Sequence, residues 1–184
     1  VISESDFETR LDQDHFKVAY EQTQAVENGT QANDIKAEQD KVLWADLVIF
    51  QFPLWWFGMP AILKGWVDRV WARGFAYLAG RKYDTGMLAG RKALVCVTTG
   101  TSEDTYAPDG IDGAMIDHLW PIHNGVFRYT GFDVVSPYVV YMPGRMTDDE
   151  RQQAITGWRE KLHTIDEQEP VSYTHLRAHE TRED

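Results

Sequence analysis

The chain has 184 residues, 43% of them hydrophobic and 26% charged, a composition that suits one ordinary folded domain and excludes a wholly disordered chain. Eighteen Lys and Arg stand against 29 Asp and Glu, and the net charge of -11 argues against partnership with a nucleic-acid backbone. The single cysteine, Cys96, excludes an intramolecular disulfide framework and suits a reducing, cytoplasmic setting.

Ahead of Asn33 the chain reads as polar loop, including Asp12-Gln13-Asp14-His15. Asn33 to Asp46 has helical periodicity, with Ile35, Val42 and Leu43 inward and Lys36, Glu38, Gln39 and Asp40 outward. Leu47-Val48-Ile49-Phe50-Gln51-Phe52 follows as an almost uniformly apolar run, the pattern of a parallel strand covered on both faces. Pro53, Gly58 and Pro60 interrupt the apolar stretch Leu47 to Leu63, so it predicts a strand, a turn and a helix start rather than a membrane span. After Pro60, the residues Ile62, Leu63, Trp66, Val67, Val70 and Trp71 recur at three- and four-residue spacing. Ala93 to Thr98 predicts a second buried strand, and Asp133-Val134-Val135 through Val139-Val140-Tyr141 a third. Thr147-Asp148-Asp149-Glu150 has the form of a capping box, opening a last helix whose apolar side is Ala154, Ile155, Trp158, Leu162 and Ile165.

Buried strands alternating with helices predict an α/β fold with a doubly wound parallel sheet, in which ligands bind beyond the carboxyl ends of the strands. That directs attention to Pro53–Gly58, Thr98–Tyr106 and the chain after Tyr141. In the first segment, Trp55-Trp56-Phe57 could wall a flat heteroaromatic ring, or equally plug the core or a subunit contact. In the second, Thr98-Thr99-Gly100-Thr101-Ser102 combines hydroxyls, small side chains and a glycine, so a ligand can approach the backbone closely. Tyr106 follows as a candidate proton donor. Glycine-rich nucleotide motifs, a nucleophile elbow and paired cysteines are absent, and His118 and His123 lack metal-ligand spacing toward Asp112 and Asp117, so no metal is expected.

The run Leu47-Val48-Ile49-Phe50-Gln51-Phe52-Pro53-Leu54-Trp55-Trp56-Phe57-Gly58-Met59-Pro60-Ala61-Ile62-Leu63-Lys64-Gly65-Trp66 closely resembles the signature of the flavodoxin-like NAD(P)H:quinone oxidoreductases. Phe75-Ala76-Tyr77, Thr98-Thr99-Gly100, Leu119-Trp120-Pro121-Ile122 and Gly131-Phe132 recur in the family's order. The resemblance implies a homodimeric flavoenzyme, using FAD or in some bacterial relatives FMN. It would carry out two-electron reduction of quinones by NAD(P)H, with ping-pong hydride transfer. It further implies that Pro53, Leu54, Trp55, Trp56 and Phe57 lie along the isoalloxazine ring and that Thr98, Thr99, Gly100 and Thr101 meet its polar edge. By the same resemblance, Tyr106 stabilises the reduced flavin and Arg151 contacts the cofactor. Tyr77 and Tyr129, with Trp56 and Phe57, would line the nicotinamide and quinone cavity, Tyr129 replacing a phenylalanine of the animal enzymes. Where those enzymes pair the tyrosine with a histidine, this chain has Asp112, leaving the acid–base partner open. The alternative from another class is a flavin-binding regulatory subunit of a bacterial potassium-efflux system.

The family fold implies a first βαβ unit with a pyrophosphate-binding loop and the sheet order 2-1-3-4-5. On that expectation residues 1–170 form a partial domain, inactive by itself, in which strand Leu47–Phe52 has an unpaired edge. Val171–Asp184 resembles the translation of a sequencing adapter, so His175 and His179 are not expected to form a metal pair.

Overall fold

The computed structural model describes residues 1–171; the expected adapter segment and its histidine pair lie outside the described residues. Two adjacent strands organise the fold. β1 (Leu47–Pro53) and β2 (Lys92–Thr99) run parallel, in register from Leu47 beside Lys92 to Pro53 beside Thr98. On the far side of β2 the third predicted strand is divided in two. β3 (Asp133–Val134) pairs with Lys92 and Ala93, and β4 (Tyr138–Tyr141) pairs with Cys96 through Thr99, both parallel. Pro137 lies between them, and its missing amide N–H cannot continue the ladder. The described residues therefore supply the order β1-β2 with β3 and β4 end to end, rather than all five positions of the expected 2-1-3-4-5 sheet.

Among the described residues, five α-helices accompany the sheet: α1 (Val18–Asn28), α2 (Asn33–Trp44), α3 (Ala61–Val70), α4 (Met115–Trp120) and α5 (Asp148–His163). α4 runs on into wider π-type turns over Pro121–Arg128, where Pro121 has no N–H to give to an ordinary helical bond. This extension buries Ile122, His123 and Phe127, and desolvation lowers the His123 pKa to about 4, keeping the imidazole neutral in the core. The capping box at Thr147 and Glu150 forms as expected: the Glu150 N–H donates to Thr147 Oγ1 (3.3 Å) and the Thr147 N–H to Glu150 Oε2 (2.6 Å).

One face of the sheet carries Phe50, Phe52, Val95, Val97 and Val134 into the main core, with Val67, Val70, Trp71, Leu119 and Phe127 packed over it. The opposite face of β2 holds Leu94 and Cys96; Cys96 is 6% exposed, and burial pushes its thiol pKa up. β2 is thus covered on both sides. β1 is not, contrary to its apolar sequence: Phe50 and Phe52 are buried while Gln51 and Pro53 are exposed. Beside the edge of β1 that has no strand partner among the described residues, α2 and α3 frame an apolar trough of about 580 Å³ lined by Val42, Trp44, Ile49 and Ile62. Ile62, at this trough, is exposed, and so is Leu43, contrary to its expected inward position.

α1 corrects the expectation of a polar loop. Its inward positions include Glu21 and Gln22, so hydrophobic periodicity gives no sign of it. Charge pairing fixes it instead. The buried Glu21 carboxylate accepts the backbone N–H groups of Leu11 (2.7 Å) and Asp12 (3.2 Å) and Nε of Arg10 (3.3 Å). A second clamp joins Arg69 of α3 to the buried Asp6 through Nε (3.0 Å) and Nη2 (2.9 Å), and through Nη1 to Asp34 (2.8 Å). Gln22 Oε1 accepts the Arg73 N–H, tying α1 to the chain just beyond α3.

Burial pushes the Glu21 carboxyl upward, but the two amides and the Arg10 guanidinium together outweigh it and leave its pKa below the ordinary glutamate value. A depressed carboxyl contributes stability that is present above its unfolded pKa and is lost as pH falls through the folded one. Thermal melts from pH 7 down to pH 3 are expected to show this acid loss in the native sequence and a shallower dependence in Glu21→Gln. The substitution should cost about 1–3 kcal/mol at neutral pH, since at a buried position it replaces a charged acceptor of two backbone amides and the Arg10 guanidinium by a neutral amide. A variant with native stability and native acid sensitivity would show that the Glu21 cluster does not anchor this segment.

Candidate active site at the strand ends

One residue past the β1–β2 register, the Leu54 N–H donates to the Thr98 carbonyl at 2.8 Å, so the chain leaving β1 emerges beside the chain leaving β2. The backbone then turns sharply. Trp55 and Gly58 exchange both N–H···O bonds, at 3.1 and 3.0 Å, enclosing Trp56 and Phe57 as the two central residues. Those residues have φ of 51° and 58°, left-handed values that hairpin turns usually assign to Asn or Gly. Each such residue with a bulky side chain costs about 1–2 kcal/mol. The strain holds aromatic rings out in solvent: Trp55 is 61% exposed, Trp56 98% and Phe57 48%. Strain spent on exposing apolar rings marks a binding surface.

The threonine turn adjoins this elbow. Thr99 Oγ1 donates to the Thr101 carbonyl (2.8 Å), and Thr105 Oγ1 bonds Thr101 Oγ1 (3.0 Å) and the Ser102 carbonyl (2.9 Å). A Cβ built on Gly100 would meet nothing within 4 Å, so the ground above it is open. Among the described residues, the N–H groups of Trp56, Phe57, Gly100 and Thr101 have no protein acceptor. The elbow thus sets exposed rings near unengaged donors, a combination that suits a flat heteroaromatic molecule with a polar rim.

A short 3₁₀ turn over Glu103–Tyr106 buries Tyr106, whose ring is edge-on to Phe57 at 6.4 Å and tilted against Tyr141 at the end of β4 at 6.2 Å. The loop that follows folds back, with the Asp112 N–H donating to the Thr105 carbonyl (2.9 Å). Gly110 permits this, because a Cβ there would lie 2.5 Å from the carbonyl oxygens of Asp104 and Thr105. His118 of α4 completes the cluster. Its imidazole stacks on Phe57 at 4.7 Å and 19°, meets Tyr106 edge-on at 5.7 Å, and bonds the Asp112 carbonyl through Nε2 at 2.6 Å.

Of the residues expected from sequence, Pro53 through Phe57, Thr99 through Thr101 and Tyr106 therefore converge, and Thr98 joins them through the carbonyl that accepts the Leu54 N–H. Asp112 joins them through its backbone groups. Tyr77 and Tyr129 pair with each other at 6.1 Å, beside a separate cavity of about 390 Å³ shared with Gln22 and Trp71, and have no ring contact with the elbow. Arg151 bonds Asp148 at 2.6 Å and borders a third cavity of about 270 Å³, which Thr98 also lines. Sequence reasoning passes over His118, weighing it only as a metal ligand; its place three residues into a short helix after Gly110–Gly113 is the available signal. Among the described residues, no group of three or more His, Cys, Asp or Glu side chains could hold a metal ion, and no helix is long and apolar enough to cross a membrane.

A family described by its flavodoxin-like fold matches residues 2–162. NAD(P)H dehydrogenase [quinone] 1 of Rattus norvegicus is 44% identical over 162 residues, covering 88% of this chain and 59% of the rat protein. Human ribosyldihydronicotinamide dehydrogenase [quinone] is 42% identical over 159 residues, covering 86% of this chain and 69% of the human one. A crystal structure from Klebsiella pneumoniae, provisionally named a quinone reductase, superposes with a TM-score of 0.89 at 39% identity, covering 93% of this chain and 69% of that one. The chain thus spans between about three fifths and seven tenths of the length of these relatives.

Replacing Trp56 by Asn relieves the left-handed strain at a fully exposed position. The variant is expected to be more stable than the native sequence by about 1 kcal/mol in denaturant melts. A loss of stability would mean that the Trp56 ring is supported by the fold rather than held out from it.

Proposed function

The chain belongs to the family with the flavodoxin-like fold, and on that premise we propose that this protein is a flavin-dependent NAD(P)H:quinone oxidoreductase. The observation that carries the reading is the strained elbow, with its exposed rings set beside unengaged amides at the carboxyl ends of β1 and β2. The relatives are named for quinone chemistry, which favours this reading and lends nothing to a regulatory subunit of an efflux system.

A bound flavin, FAD or FMN, would supply the two-electron chemistry between NAD(P)H and a quinone. Pro53, Leu54, Trp55, Trp56 and Phe57 would hold the ring system by stacking and keep water from it. Thr98, Thr99, Gly100 and Thr101 would direct amides and hydroxyls at its polar edge, where negative charge is best stabilised by donors already in place. Tyr106 would offer its phenol as a hydrogen-bond donor, and Arg151 a positive charge to the cofactor's extremity. NAD(P)H and quinone would occupy one cavity in turn, which requires alternating, ping-pong kinetics.

Tyr77 and Tyr129 suit that cavity chemically, yet within one chain they stand apart from the elbow. We assign them to the elbow of a second copy, which makes a homodimer the working unit and each site a joint construction.

The full-length protein is expected to purify yellow, or to take up FAD or FMN when either is added, and to reduce a benzoquinone with NADH or NADPH. Initial-rate plots at several fixed quinone concentrations should be parallel. A colourless protein that accepts neither flavin overturns the reading, and intersecting plots overturn the shared cavity. Trp56→Ala and Tyr129→Ala should each abolish turnover, while an equal mixture, after subunit exchange, should recover about a quarter of native activity, since half the dimers are hybrids with one intact site of two. No recovery in a mixture shown to contain hybrids would place both residues in one chain's site.

A further inference from the structure

The flavin reading leaves His118 without a task, although its ring meets three members of the elbow cluster. His118 is half-buried on α4, and three contacts from three segments meet at its ring. Phe57, from the turn after β1, lies flat against it at 4.7 Å. Tyr106, from the 3₁₀ turn after β2, meets it edge-on at 5.7 Å. Asp112, from the loop closing onto that turn, accepts Nε2–H at its carbonyl at 2.6 Å.

A carbonyl oxygen cannot donate, so Nε2 carries the hydrogen. That fixes the tautomer: the neutral ring has Nδ1 as its acceptor, and the imidazole cannot flip without losing the Asp112 bond. The carbonyl is itself held, because the Asp112 N–H is bonded to the Thr105 carbonyl and Gly110 lets the loop lie against Asp104 and Thr105. A surface histidine packed for bulk alone would need neither a fixed tautomer nor an anchored carbonyl. Phe57, by contrast, needs an external support, since its left-handed backbone and half-exposed ring give it little of its own.

We propose that His118 is the positioning residue of the elbow site: tethered to the Asp112 carbonyl, its imidazole fixes the plane of Phe57 and the orientation of Tyr106 toward the bound ring system. The inference rests on the flavin reading of the elbow. It assigns to Asp112 a backbone task, so the imidazole of this site comes from α4 and not from the position Asp112 occupies.

The test uses the full-length flavin-loaded protein and two substitutions that divide the ring from the bond. His118→Phe keeps a flat ring against Phe57 and removes the N–H; His118→Gln keeps an N–H donor and removes the ring. Both should alter the visible circular dichroism of bound flavin and lower kcat at least about tenfold, with the quinone KM changed less than threefold, the pattern of a misplaced reacting group. Far-ultraviolet spectra and thermal melts identify which variant is folded, and one folded variant is enough to decide. A folded variant with native flavin dichroism and native kcat overturns the proposal. If the unsubstituted protein binds no flavin, the reading of the site fails instead, and the two failures are told apart by that control.

Discussion

The hydrogen bond from the Leu54 amide to the Thr98 carbonyl is the contact on which the site depends. It is the last rung of a parallel register, and the two chains leaving it diverge into the elbow and the threonine turn. Parallel pairing makes this geometry natural, since both strands end at the same edge of the sheet. A shift of one residue between β1 and β2 would exchange Phe50 and Phe52 for Gln51 in the core and present the elbow on the wrong side of the turn. Core packing therefore holds the site in place: the residues that bury Phe50 against Phe127 and Trp71 also decide where Trp56 emerges.

Around that rung the molecule uses two different adhesives. Near the sheet, aliphatic and aromatic side chains are buried in the ordinary way. Toward the amino-terminal end, Asp6, Glu21 and Gln22 are buried polar groups, satisfied by Arg69, Arg10 and backbone amides. Such clusters lose much when one partner is removed and gain little beyond a hydrophobic equivalent. They give this end of the fold a definite position more than a large reserve of stability.

How far the sequence foretold this depends on which adhesive is at work. β2 was legible because Leu94-Val95-Cys96-Val97 is apolar on both faces and buried on both. α3 and α5 were legible from spacing and from the Thr147 box. α1 was not, because its inward side is Glu21 and Gln22, which read as solvent-facing until their partners are known. The apolar run of β1 predicted two covered faces where one is found, since periodicity reports hydrophobicity and not the presence of a neighbour. At the site, the elbow and the threonine turn stood out by composition. Their strain did not, as nothing in Trp-Trp-Phe announces left-handed backbone. His118 was hidden for a similar reason: its partners, Phe57 and Tyr106, come from other segments, and only the fold brings them to it.

Cys96 occupies the middle of the central strand, on the face where Tyr138, Ile155 and Trp158 of β4 and α5 share its cavity. α5 has no buried residue of its own and is tied to the sheet by Trp158 on Tyr138, by the Tyr138 hydroxyl bond to the Ala154 carbonyl (2.7 Å) and by Lys161 Nζ on Ser136 Oγ (2.9 Å). The chain's one sulfhydryl therefore lies behind a helix that buries none of its residues, with a raised pKa that suppresses the reactive thiolate. Alkylation by a small maleimide becomes a stopwatch for that helix lifting away, recorded without a bound ligand or an assay of turnover.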